Sequence, residues 1–424
     1  MKLRGHFHLL ATLAIAGCLG TPAAVLDAHD AAPADARLDG LVDAVAWSGT
    51  VGVRQGECTP STCAEHVFEV AAAAGEARVL TVAAKWPHEG AQLGLDGSDP
   101  SFQLDLAGPG GAALGEGRMG WLATVLVVED PKPGSYTLRV WGTRTGGDYE
   151  VGAALSPAPE RPSPPVDLLP DLVTMPLSEL AVEHPHGPPF NTLVGPVWSA
   201  GAGALGVRGC GADEWVEERV ERCLRFSNGV ANLGAGAVEV RLRLRDAVAN
   251  AAGAPQFLQR IYASDGGHRD APAGPAEFHA IHGHYHFAAF AQTTLFAYDL
   301  DADRRGAQVV AGEKLGYCFI DIGVYAVDHA PLAEPRYVVD GCLVPAHEQA
   351  LVSGLQPGWF DLYWSDLSHQ YIDITGVPDG VYELESIANV EGRIREADLS
   401  NNGASVIFRL TGDAVEVLGH RPAA

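Results

Sequence analysis

The sequence reads as an all-β protein: an N-terminal β-sandwich module followed by a larger, β-sandwich-like domain with long loops. Three observations predict this. Of 424 residues 47% are hydrophobic, too many for a disordered chain and enough for two or three cored domains. Glycine (50) and proline (28) are abundant while Met (3) is scarce, a composition that favours short strands joined by turns. Only Asp213–Glu221 reads as helix; the other periodic segments are short and strand-like.

The elements follow in chain order. Residues 1–17 join a basic start (Lys2, Arg4) to the apolar run Leu9–Ala16, too short to span a bilayer and patterned as a secretory signal. The segment ends Ile15-Ala16-Gly17-Cys18, which resembles a bacterial lipoprotein box with Cys18 as the acylated residue. Residues 18–40, rich in Ala, Pro and Asp, then read as a flexible tether. No other stretch nears 18 consecutive apolar residues. The expected location is exported and lipid-anchored at the bacterial envelope, with the membrane met only through Cys18.

Residues 41–155 offer strands at Glu65–Val70, Ala77–Ala83, Phe102–Leu106, Ala123–Val128, Tyr136–Val140 and Tyr149–Ala153. Their spacing fits an accessory sandwich. Within it, PGSYTLRVWG and GDYEVGAAL resemble the pre-peptidase C-terminal modules of secreted bacterial enzymes. Residues 156–170 hold prolines at 157, 159, 162, 164, 165 and 170, a run that reads as a stiff linker. From residue 171 to 415, Leu224–Phe226, Val238–Leu244, His284–Ala289, Leu295–Asp299, Ile372–Ile374 and Tyr382–Ala388 are the clearest strands. Six cysteines follow Cys18. In an exported chain they suit disulfides, most simply 58–63, 210–223 and 318–342, though spacing alone leaves other connectivities open.

Charge narrows the function. Against 28 Lys+Arg stand 53 Asp+Glu, a balance of −25. Nucleic acid is excluded as a partner, because that affinity rests on basic residues neutralising phosphates. An acidic surface instead attracts cations, protonated amines among them.

Phe278-His-Ala-Ile-His-Gly-His-Tyr-His-Phe287 concentrates His279, His282, His284 and His286. Imidazole is the commonest zinc and copper ligand, and His282, His284 and His286 share one face of an extended strand. Positions i and i+4 lie roughly 13 Å apart on a straight strand, so a common metal needs a bend, which Gly283 could supply. Three imidazoles suit copper or zinc.

This block resembles the copper-binding stretch of the lysyl oxidase family, W-H-x-C-H-x-H-Y-H. Residue by residue, the family's copper ligands fall on His282, His284 and His286, and His279 fills the preceding His. Phe278 replaces Trp, and Ile281 replaces Cys. The resemblance continues in order. Ala311-Gly-Glu-Lys-Leu-Gly-Tyr-Cys-Phe319 is similar to the segment carrying the cofactor lysine, which falls on Lys314. Residues 354–375, GLQPGWFDLYWSDLSHQYIDIT, are similar to the segment carrying the cofactor tyrosine, which falls on Tyr363. The implied cofactors are Cu2+ and lysine tyrosylquinone, formed between Lys314 and Tyr363 by bound copper and O2. A solvated lysine, with pKa near ~10.4, stays protonated, so Lys314 is expected to be desolvated or near cations.

The resemblance implies a lysyl oxidase-like catalytic domain over residues 171–415. Its reaction would be oxidative deamination of a primary amine, a protein lysine or a small amine, by O2 to an aldehyde, hydrogen peroxide and ammonia. The amine adds covalently to the quinone and a carboxylate takes the α-proton. Ala297 stands where some relatives carry a His proposed as base, and His369 stands where the tyrosine segment carries a Cys. Asp366 and Asp373, flanking the Tyr363 strand, are therefore the candidate bases. Cys318 and Cys342 occupy positions of a family disulfide. Leu224-Arg-Phe-Ser-Asn-Gly-Val-Ala-Asn-Leu-Gly234 resembles the domain's early strand. Asp171, Leu172, Glu396, Asp398, Asn401 and Asn402 match a stretch that binds calcium in some relatives, and oxygen donors suit that cation. Two other classes compete: a non-catalytic metal-binding lipoprotein, and an adhesive one acting through residues 41–154.

Overall fold

The computed structural model describes residues 36–38, 43–54, 56–71, 77–85, 102–143, 146–158, 162–184, 210, 220–243, 255–279, 284–327, 329, 331–338, 350–365, 367 and 370–422. The signal segment, Cys18, most of the tether, most of the helix-like Asp213–Glu221 stretch, His282, Gly283, Cys342, Asp366 and His369 lie outside them, as does the side chain of His279.

Among the described residues there is no α-helix, and four sheets carry the fold. Arg37–Leu38, Cys63–Val70, Gly134–Gly142, Phe102–Ala107 and Ala113–Glu116 form one five-stranded sheet, in that spatial order. Arg37–Leu38 pairs in parallel with Glu69–Val70, so part of the stretch read as a tether is strand. Asp43–Val51, Gly147–Pro157, Arg78–Lys85, Ala123–Glu129 and Arg118–Met119 form the second. Their apolar faces, among them Trp47, Phe68, Leu80, Leu104 and Leu138, make a common core. This sandwich follows from alternation: Phe102–Ala107 and Cys63–Val70 bury alternate residues against the opposing sheet.

The second half is built on a ten-stranded sheet, ordered Ala350–Leu355, Val238–Arg243, Gln256–Ala263, His268–His279, His284–Asp299, Gly380–Ala388, Gly403–Thr411, Ala414–Pro422. Asp167–Leu168 pairs with Gln256–Ala263, and Arg304–Tyr317 with His284–Asp299. The end of the Pro-rich segment thus joins the second half as a strand. His284–Ala289 and Leu295–Asp299, read separately from the sequence, are one strand of 16 residues, which bulges against its partner between Phe287 and Ala291. Ala289 adopts φ 53° inside that bulge, a left-handed conformation that costs an alanine energy and turns the strand.

A further sheet aligns Leu172–Thr174, Cys223–Asn232, Trp359–Tyr363 and Gly323–Val324. Trp359–Tyr363 is buried from both sides. Phe360, Leu362 and Trp364 enter the core of the N-terminal sandwich, while Trp359 and Tyr363 face the core of the second half. Adjoining contacts weld the halves. Leu122 N donates to Ile322 O at 2.7 Å, and Trp121 Nε1 to Val338 O at 2.8 Å. Gly120 must be glycine, since a Cβ would lie 2.4 Å from the Trp359 ring. Disulfides join Cys58 to Cys63 and Cys210 to Cys223, and Cys318 is also disulfide-bonded. No helix of the described residues is long and apolar enough to cross a membrane.

Candidate functional site

Three strands converge on one point. His284 and His286 lie two residues apart at the start of the long strand, and their Nε2 atoms approach to 2.7 Å with ring centroids 4.7 Å apart. His286 is buried and His284 half-buried. Their nitrogens thus turn toward a common point, as ligands of one metal must. Two imidazoles are an incomplete set. Among the described residues no cluster of three or more His, Cys, Asp or Glu side chains forms, and His282 lies outside them. His279 pairs in register with His284, which keeps the fourth histidine on the neighbouring strand.

Tyr363 stands beside this pair, its ring edge-on to His286 with centroids 6.5 Å apart. Its hydroxyl accepts the Cys318 backbone N–H at 2.8 Å. Tyr317 covers one side, 4.3 Å centroid to centroid. Burial drives the Tyr317 phenol pKa well above its usual value, and the charge of Asp361 adds to this. Gly316 permits the close passage of this strand, because a Cβ there would meet His286 Cβ at 2.9 Å. Phe290 and Phe319 pack against Tyr317, and Phe287 packs against both of them. The result is a packed aromatic layer behind two histidines and a tyrosine.

Lys314 is placed differently. It lies three residues before Tyr317 on the same strand, hence on the opposite face. It is exposed, and its Nζ is paired with Glu391 Oε1 at 2.5 Å; Arg393 binds the same carboxylate. Expected to be desolvated or near cations, Lys314 is solvated and shares its counter-ion with a cation. Lys314 lowers the Glu391 carboxyl pKa. Asp373 is exposed, and its Oδ1 accepts the Thr375 N–H at 2.8 Å, closing a turn.

The calcium candidates come together more fully. Glu396 Oε2 accepts Leu172 N–H (2.8 Å), and Oε1 accepts Asn402 Nδ2 (2.8 Å) and Asn389 Nδ2. Asn401 Nδ2 donates to Asp171 Oδ1 at 2.9 Å. Both amide oxygens, Asn401 Oδ1 and Asn402 Oδ1, are buried without a hydrogen bond among the described residues. Burial raises the Glu396 carboxyl pKa, these hydrogen bonds oppose it, and the Asp171 charge raises it further. Two orphaned oxygens beside two carboxylates fit a hard cation. Asp398 instead caps its own turn through Ser400.

The histidine pair, Tyr363 and Lys314 fall within a single matched segment. Residues 256–419 match the Lysyl oxidase family model. The chain is also 32% identical over 136 residues to protein-lysine 6-oxidase of Rattus norvegicus, covering 32% of this chain and 29% of that one. The same figures of identity and length hold for the Sus scrofa enzyme, of which 47% is covered, and for the Homo sapiens enzyme, of which 28% is covered. The chain therefore spans less than half the length of these relatives. Among solved structures, the pre-peptidase C-terminal domain of collagenase from Bacillus anthracis matches 30% of this chain and 99% of its own length at 15% identity, with a TM-score of 0.19. That superposition is too slight to bear on the fold.

Sequence reasoning missed Tyr317, Asp361, Glu391 and Asn228. Asp361 and Tyr363 share a strand face, and Asp361 is only 1% exposed. The run WFDLYW, residues 359–364, carries apolar residues on both faces, the signature of a doubly buried strand. A buried acid within it is therefore a legible signal.

Proposed function

We propose that this protein is a copper-dependent amine oxidase that deaminates primary amines, protein lysines or small amines, to aldehydes with release of hydrogen peroxide and ammonia. The observation that carries this reading is the approach of the His284–His286 pair to Tyr363 inside the lysyl oxidase-like region. Copper would be held by His284 and His286 with His282, and lysine tyrosylquinone would form from Tyr363 and Lys314. Copper with O2 supplies oxidising power toward a phenol, and a quinone supplies a carbonyl able to accept an amine.

The chain's own residues do the rest. The Cys318 N–H fixes the Tyr363 oxygen, and Tyr317 fixes its ring plane. The buried Phe287–Phe290–Phe319 cluster would keep water from the inner side of Tyr363. Lys314 has to leave Glu391 before its amine can reach Tyr363. Asp366, three residues beyond Tyr363, is the carboxylate proposed to take the substrate α-proton. Asp373 is the weaker candidate, since its carboxylate is committed to a turn. The balance of −25 draws cationic amines toward the surface. Calcium is proposed at Asp171, Leu172, Glu396, Asn401 and Asn402, with Asp398 outermost. Residues 1–17 as signal, Cys18 as lipid anchor, residues 18–40 as a tether whose Arg37–Leu38 end docks as a strand, 41–155 as accessory sandwich, 156–170 as a linker whose Asp167–Leu168 end pairs into the second half, and 171–415 as catalytic domain complete the proposal.

The Lys314–Glu391 pair favours one competing reading, a lipoprotein that binds metal without the cross-link. Amine-dependent release of hydrogen peroxide from the copper-loaded protein decides between them. Release that is abolished by Tyr363→Phe supports the oxidase. Stoichiometric copper with no release supports the metal-binding protein.

A further inference from the structure

Asn228 lies in Cys223–Asn232, a strand buried along its whole length. Its side chain is 0% exposed, and neither Nδ2 nor Oδ1 makes a hydrogen bond among the described residues. A carboxamide brings two donors and an acceptor, and leaving them unmet in an apolar interior opposes folding. Native proteins leave few such groups, and a leucine of similar volume would serve the core better. The position of Asn228 supplies the reason for its presence.

Its Cα partner across the sheet is Tyr363. Directly opposed residues of an antiparallel pair stand on the same face, their Cβ atoms roughly 4.5–5.5 Å apart. The amide therefore lies alongside the tyrosine. Val230 and Asp361, two steps along the ladder, share this face, whereas Phe360 and Leu362 point to the other core. Tyr317 closes the third side, its ring against Tyr363 and its hydroxyl donating to the Asn228 carbonyl at 3.2 Å. The amide makes no hydrogen bond to the phenol of Tyr363, whose hydroxyl accepts the Cys318 N–H instead. A ring bearing additional oxygen would offer it an acceptor.

We propose that the Asn228 carboxamide is a positioning residue that donates a hydrogen bond to the additional ring oxygen of a quinone derived from Tyr363. The inference rests on the reading of Tyr363 as the cofactor tyrosine. The unmet amide is then a preorganised donor, costly to the unmodified fold and matched to the mature one.

The test uses the copper-loaded full chain as wild type, Asn228→Leu, Asn228→Ala and Asn228→Gln. Three quantities are read: the wavelength of the visible quinone band, its carbonyl stretch by resonance Raman, and the thermal midpoint of copper-free protein. The expected result is a displaced band and a carbonyl stretch moved to higher wavenumber in the Leu and Ala variants. Asn228→Gln, which keeps an amide, returns both toward wild type. Copper-free Asn228→Leu is expected to melt no lower than wild type, because it removes an unsatisfied group. The Ala variant keeps the test alive should Leu overpack. An unchanged band and stretch in both truncated variants overturns the inference and leaves an amide that serves only the fold. Absence of any quinone band in wild type overturns the cofactor reading instead, and this inference with it.

Discussion

The ring of Tyr317 lies against that of Tyr363, with centroids 4.3 Å apart and planes at 35°. The two strands are distant in sequence and belong to different sheets, Arg304–Tyr317 pairing with His284–Asp299 and Trp359–Tyr363 with Cys223–Asn232. Tyr317 therefore sets the orientation of Tyr363. Tyr317→Phe loses one hydrogen bond, worth about 1 kcal/mol, and keeps the wall. Tyr317→Leu removes the wall. Phenylhydrazine titration of copper-loaded protein is expected to find near-normal quinone in the Phe variant and a several-fold loss in the Leu variant.

The strand bearing Tyr363 is shared by two cores. Phe360 is 1% exposed and Trp364 9%, both on the face covered by the N-terminal sandwich. Phe360→Ala is expected to lower the unfolding free energy by about 3–5 kcal/mol, as for a large aromatic cut from a packed core. Urea denaturation measures this. A change below about 1 kcal/mol would mean that the sandwich does not seal this strand.

The Glu396 cluster provides a cation test. If Ca2+ binds only the folded state, saturation at a hundredfold over Kd stabilises it by about 2.7 kcal/mol. Thermal denaturation in calcium and in EGTA is expected to show a higher midpoint with calcium for wild type and no response for Glu396→Gln. Equal midpoints for wild type would remove calcium from this site.

His66 gives the N-terminal sandwich a pH dependence. Burial lowers its pKa from 6.5 to about 4; the ring stacks on Trp47, and Nε2 meets the Tyr149 hydroxyl at 2.8 Å. Between these values the unfolded chain binds a proton that the folded one does not. Stability therefore falls as pH drops from 6.5 toward 4 and is level, for this group, above and below that window. The shift corresponds to roughly 3 kcal/mol. Urea midpoints across pH 4–7 are expected to lose this slope in His66→Phe relative to wild type.

Much of this architecture is legible in the sequence, for identifiable reasons. Strands such as Phe102–Ala107 and Gly134–Gly142 announce themselves through alternation, because one face is buried and the other wet. Trp359–Tyr363 and Cys223–Asn232 are buried on both faces, so alternation vanishes, and Leu224–Phe226 is all that periodicity extracts from the latter. The histidine block is visible as a cluster. What the sequence conceals is the turn at Ala289, since alanine carries no mark of a left-handed backbone. Pairings across the fold, Tyr317 with Tyr363 and Lys314 with Glu391, are equally silent, because no local rule reports contacts between distant strands.

The central claim is that Tyr363 and Lys314 become one cofactor, and peptide mapping by mass spectrometry tests it most directly. Full-length protein is incubated with Cu2+ and O2, digested and searched for a joined peptide. The expected result is a Lys314–Tyr363 cross-link whose ring carries added oxygen, appearing faster in Glu391→Gln, where Lys314 is released from its ion pair, and absent in Tyr363→Phe. Fully copper-loaded protein that yields Lys314 and Tyr363 in separate, unmodified peptides would contradict it.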